Sequence, residues 1–99
     1  MRLTSEQITI IKAAVAEHFG ADAIVMLFGS RIDDSKRGGD IDLYIESPRP
    51  LQDPVVKNSR LNATLQMKLG EQKIDIVAWS PGQQLLPIHE EAKRTGVRL

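Results

Sequence analysis

Between Thr4 and Phe19 the apolar residues Ile8, Ile11, Val15 and Phe19 recur three or four apart, the spacing of one helix face. Thr4 or Ser5 suits the N-cap and Gly20 the stop, so a first helix is expected between them. The run Ala23 to Phe28, "AIVMLF", has no polar alternation and suits a strand covered on both faces. "DIDLYIE", Asp40 to Glu46, alternates strictly and places Ile41, Leu43 and Ile45 on one side. Asp53-Pro54 has the form of an N-cap followed by proline at the first helical position. The helix expected there carries Leu61, Leu65 and Leu69 as a stripe and closes at Gly70. "KIDIVAW", Lys73 to Trp79, alternates again, and a last helix is expected from about Pro87 to Gly96. The expected order is α-β-(α)-β-α-β-α, with one helical turn allowed in the loop after Phe28. This is an α/β (α+β) arrangement in which helices flank a small, mixed, three-stranded sheet.

At 99 residues the chain is read as a single domain, residues 1–99, with one modest core. Thirteen basic residues balance thirteen acidic ones, so no net field favours nucleic acid or an anionic membrane. Cysteine is absent, which excludes disulfides and thiolate-bound metals. No apolar run is long enough to span a bilayer, and the N-terminal segment lacks the h-region of a signal peptide. A cytoplasmic protein is the expectation.

Candidate chemistry gathers in "FGSRIDDSKRGGDIDLYIE", Phe28 to Glu46, where Gly-Ser is followed after nine residues by Asp-Ile-Asp. Residues two apart on a strand share a face, so Asp40 and Asp42 point one way, opposite Ile41 and Leu43. By the same alternation Asp75 points away from Ile74 and Ile76. All three aspartates can therefore share one side of the sheet. Two carboxylates about 5–6 Å apart repel by roughly 3 kcal/mol at an effective dielectric near 20. Mg²⁺ removes that cost, because it prefers carboxylate and phosphate oxygens. Two such ions can clamp the attacking and leaving oxygens of a phosphoryl displacement. Gly29 allows backbone to approach a ligand closely, while Ser30 offers a hydroxyl and an N–H to a phosphate. Arg31, Lys36 and Arg37 are candidate partners for the remaining phosphate charge.

Together these motifs resemble the minimal nucleotidyltransferases of the DNA polymerase β superfamily, over most of the chain. The resemblance implies the nucleotidyltransferase fold. It also implies that Gly29, Ser30 and Arg31 form the nucleotide-binding turn. Asp40 and Asp42 match the paired metal ligands, and Asp75 matches the third carboxylate, which helps to activate the acceptor hydroxyl. Two Mg²⁺ ions would be the cofactors and ATP the substrate, with pyrophosphate leaving. Many members carry a small residue and then Arg-Gly after Gly-Ser-Arg, where this chain has Ile32-Asp33-Asp34.

Such transferases need an acceptor, and this chain leaves no residues for a second domain to bind one. Many minimal members are paired with a small helical protein of the HEPN class, as antitoxin to toxin, and can inactivate it by adding AMP. The resemblance thus implies AMP transfer from ATP to a hydroxyl of such a partner. The other reading is a non-catalytic module that neutralises its partner by occlusion.

Blander roles stand beside these. Asp40 and Asp42 also fit the solvated half of an edge strand, Asp75 a surface position, Gly29 a plain turn and Ser30 a local cap. Arg31 suits phosphate contact or a surface ion pair equally, and Lys36 and Arg37 suit solvated charge. His18 and His89 lack ligand-spaced neighbours and read as structural or surface residues. Tyr44 and Trp79 read first as packing residues. Tyr44 shares the aspartate face, so stacking on a base is its second reading.

Overall fold

In the computed structural model, residues 3–29 and 41–99 are described. Helix α1 spans Ser5–Phe19 and opens on a capping box. Thr4 Oγ1 accepts from the Gln7 N–H at 3.0 Å, and Gln7 Oε1 accepts from the Thr4 N–H at 2.9 Å. That reciprocal pair satisfies two donors a bare helix start would leave open. Strands β1 (Ile24–Phe28) and β2 (Ile41–Glu46) follow, then α2 (Pro54–Leu69), β3 (Ile74–Trp79), α3 (Pro87–Thr95) and a short β4 (Val97–Arg98). The helical turn expected between β1 and β2 falls outside the described residues.

Among the described residues the result is a compact α+β domain with three α-helices and a four-stranded mixed sheet in the order β3-β2-β1-β4. The expected sheet had three strands. β4 was missed because two residues, Val97 and Arg98, show no alternation to read. Its pairing is tertiary: Met26 aligns with Arg98 and Leu27 with Val97. β1 runs antiparallel to both β2 and β4, while β2 and β3 are parallel.

The connections β2-α2-β3 and β3-α3-β4 cross the sheet in opposite directions. Crossovers between parallel strands share one hand, so two that travel in opposite senses must place their helices on opposite faces. The packing agrees. Ile11, Val15 and Phe19 of α1 and Leu61 and Leu65 of α2 bury against Val25, Leu27, Ile41, Leu43, Ile45 and Ile74. On the other face Ala92 of α3 packs with Phe28 and Tyr44, flanked by Met26, Val77 and Trp79. The unalternating β1 is thus covered on both sides, as its sequence required.

Two helix starts differ from the simplest sequence reading. Asp53 precedes α2 but makes no side-chain cap, because its backbone is left-handed (φ 51°, ψ 58°). Proline disfavours the right-handed region for the residue before it, and Asp tolerates the left-handed alternative. A side-chain cap needs the extended conformation that Asp53 has left.

At α3 the cap comes from an unexpected residue. His89 Nδ1 accepts from the Leu86 N–H at 2.9 Å, which requires that nitrogen to be unprotonated. The ring is buried and lies 6.2 Å from that of Tyr44, tilted by 56°. Replacing His89 by Ala should cost about 1–3 kcal/mol, through the lost hydrogen bond and the gap beside Tyr44. Urea unfolding checks this, and His89→Gln should recover part of the loss by offering an oxygen to Leu86. Stability unchanged in His89→Ala would remove the capping role.

Candidate active site

Strand direction decides what meets at the site. Because β1 is antiparallel to β2, the C-terminal end of β1 lies beside the N-terminal ends of β2 and β3. Asp42 aligns with Phe28 on one side and with Asp75 on the other. Residues aligned across a sheet share a face, with adjacent strands about 4.8 Å apart. Asp42 and Asp75 are therefore direct cross-strand neighbours, and Gly29 follows Phe28 immediately. Asp42 is half-buried and Asp75 exposed.

Gly29 is fitted to Asp42. Its φ is +79°, and a Cβ built there would collide with Asp42 Oδ2 and lie 3.1 Å from Asp42 Cγ. The missing side chain is the space that the carboxylate occupies. Of the expected site residues, the structure thus brings together Gly29, Asp42 and Asp75. Ser30, Arg31 and Asp40 lie outside the described residues, as do Asp33, Asp34, Lys36 and Arg37. Two cross-strand carboxylates, one of them seated against Gly29, fit a hard divalent cation such as Mg²⁺ by their donor chemistry. Among the described residues no group of three His, Cys, Asp or Glu side chains is clustered for metal binding. Asp40, the expected metal-ligand partner of Asp42, is not one of them.

Farther along the same face the sheet is closed. Tyr44 is only 1% exposed, held under α3, and its hydroxyl donates to Glu46 Oε1 at 2.8 Å. Lys93 Nζ reaches the same carboxylate oxygen at 3.2 Å. Burial, then the Glu46 carboxylate, pushes the Tyr44 phenol well above its ordinary pKa, so it stays protonated. Stacking of Tyr44 on a base is therefore ruled out by α3, which sequence alternation could not place. Trp79 packs at the margin of the same cluster, as expected. His18 is structural too: its Nε2 lies 2.9 Å from Thr64 Oγ1 and joins α1 to α2.

A groove of about 540 Å³ runs beside Asp75, between α2 and β3, within the usual size for ligand sites. Its helical wall carries Asn58 and Asn62, and its strand wall carries Ile74 and Ile76. The amides form a ladder along α2. Gln66 Oε1 accepts from the Gln72 N–H at 2.9 Å, and Gln66 Nε2 donates to Asn62 Oδ1 at 3.1 Å. Asn62 Nδ2 donates to the Ile74 carbonyl at 2.9 Å. At Asn58 the ladder stops, with its Oδ1 buried and lacking a hydrogen-bond partner among the described residues. An unsatisfied buried acceptor costs about 1–3 kcal/mol. The sequence signal was the four-residue spacing of Asn58, Asn62 and Gln66, overlooked beside the leucine stripe. A second hollow of about 470 Å³, near Phe19, Arg49 and Lys57, holds none of the expected residues.

No described helix is long and apolar enough to cross a membrane. Comparison with protein-family models and with curated proteins finds no match for this chain.

Proposed function

We propose that this chain is a Mg²⁺-dependent nucleotidyltransferase with the minimal polymerase β-type fold, moving AMP from ATP to a hydroxyl of a partner protein. The observation that carries this reading is the cross-strand pairing of Asp42 with Asp75 beside Gly29. A surface strand gains nothing from two adjacent carboxylates, which repel each other. A triphosphate site needs them to hold its cation.

Asp42 and Asp75, with Asp40, are the residues that would hold Mg²⁺, and the ion when bound neutralises charge on the phosphates. Gly29, Ser30 and Arg31 form the turn that holds the triphosphate, and Gly29, lacking a side chain, leaves room for the Asp42 carboxylate beside it. Asp75 orients the acceptor hydroxyl and draws on its proton. The acceptor oxygen bonds to the α-phosphorus, the α–β phosphoanhydride bond breaks, and pyrophosphate leaves with the electron pair. A small helical HEPN-like protein is the proposed acceptor, in an antitoxin–toxin pair within the cytoplasm.

ATP should bind measurably in the presence of Mg²⁺ and at least about tenfold more weakly with EDTA, because unscreened carboxylates repel the phosphates. Isothermal titration decides this, and equal affinity in both buffers would sink the metal site. Incubation of the chain with Mg-ATP and the product of the neighbouring gene should then add one or more AMP units by intact mass. A tight complex without added mass would favour occlusion instead.

A further inference from the structure

The free edge of β3 and the amide ladder of α2 share one register. The Ile41 N–H donates to the Lys73 carbonyl and the Ser47 N–H to the Trp79 carbonyl, each at 3.0 Å. Odd-numbered residues of β3 therefore face β2. By strand alternation Ile74, Ile76 and Ala78 turn their N–H and C=O groups outward. β3 ends the sheet order, so among the described residues no strand pairs with this edge.

Four residues of helix rise about 6.0 Å and two residues of strand about 6.6 Å. Each step of four back along α2 thus matches a step of two forward along β3. Gln66 serves Gln72 and Asn62 serves Ile74. Asn58 comes next, level with Ile76, and there its oxygen has no partner among the described residues. The ladder ends one rung short, where the groove beside Asp75 begins.

We propose that this groove docks an extended peptide segment of the acceptor protein, added as a fifth strand on β3. Its backbone pairs with the outward N–H and C=O groups of Ile76 and Ala78. Asn58, turning its amide toward the groove, accepts one further N–H from the segment. Strand addition takes affinity from main-chain hydrogen bonds and specificity from alternate side chains. A nucleobase is the poorer fit, because no aromatic side chain lines the groove to stack on it. A segment seated there passes Asp75, so one of its side-chain hydroxyls reaches the carboxylates. The inference rests on the transferase reading above and adds the form in which the acceptor arrives.

The test uses the full chain and an array of peptides of about ten residues, each with one serine, threonine or tyrosine. Peptides that bind should slow amide exchange at Ile76 and Ala78 by about tenfold or more and leave Asp75 and Val77 unchanged. Ala78→Pro, which removes an outward N–H at a position where an edge strand tolerates proline, should abolish peptide binding. It should leave Mg-ATP affinity intact. Asn58→Ala should weaken the peptide about fivefold or more. AMP added to peptides without protection at Ile76 and Ala78 would overturn the docking site and spare the transferase. Protection of those amides with no AMP transfer to any peptide would uphold docking and refute the transferase reading. No binding by any peptide would overturn docking, as would edge protection that grows with protein concentration alone, which would make a second copy the occupant.

Discussion

Asparagine in place of Asp42, or of Asp75, will reduce AMP transfer at least about 100-fold while the chain stays folded. A carboxylate that holds a catalytic cation contributes several kcal/mol of transition-state stabilisation, and about 1.4 kcal/mol is one decade in rate. Asparagine keeps the shape and loses the charge. Asp75 is exposed, so Asp75→Asn should change unfolding free energy by no more than about 0.5 kcal/mol. The measurement is intact-mass analysis of the acceptor, with far-UV circular dichroism as the folding control. Retained transfer in either variant would remove that carboxylate from the chemistry. A large loss of stability in both would make the pair structural.

Alanine at Gly29 should be the most damaging small substitution near the site. Two costs combine there: a left-handed backbone at φ +79° and a Cβ driven into Asp42 Oδ2. The first is worth about 1–2 kcal/mol for a residue with a side chain. The second either displaces the carboxylate or strains the end of β1, adding roughly another 1–3 kcal/mol. Gly70 shows a positive-φ cost without a clash, since at φ +87° and ψ 167° nothing lies within 4 Å of a Cβ built on it. Gly70→Ala should show a backbone cost alone, that of its own extended positive-φ geometry. Gly29→Ala combined with Asp42→Ala should then destabilise less than the sum of the two single variants, by about 1–2 kcal/mol, because the obstacle has gone. Denaturant unfolding of the four proteins gives the comparison. Strict additivity would mean that Gly29 serves its turn and nothing else. Gly29→Ala should also lose AMP transfer, since Asp42 can no longer stand where it does.

Local pattern was enough for the elements that carry the site. Apolar spacing marked α1 and the stripe of α2, whose Leu61 and Leu65 are fully buried. Alternation set Ile41, Leu43 and Ile45 against Asp42, and Ile74 against Asp75, because side chains on a strand reverse at every residue. Glycine at 20, 70 and 96 marked the helix ends, where the chain leaves helical geometry. Asp53 shows the limit even at this range. Its type and position matched a cap, yet the proline after it selected a backbone from which the side chain cannot cap.

Long-range pairing was not legible, since no local pattern states which strands are neighbours or in which direction they run. The sequence by itself determined that Asp42 and Asp75 each turn away from a buried apolar face. Only the parallel register of β2 and β3 made them direct neighbours, and only antiparallel β1 set Gly29 against Asp42. The same holds for Tyr44, which local alternation assigns to the aspartate face and which the return crossover buries under α3. It holds for β4, which is defined by its pairing with β1, and for the end of the amide ladder at Asn58, which only the packing of α2 beside β3 sets. A strand carries its own two-residue period, but its neighbours are chosen by how helices on opposite faces close the core.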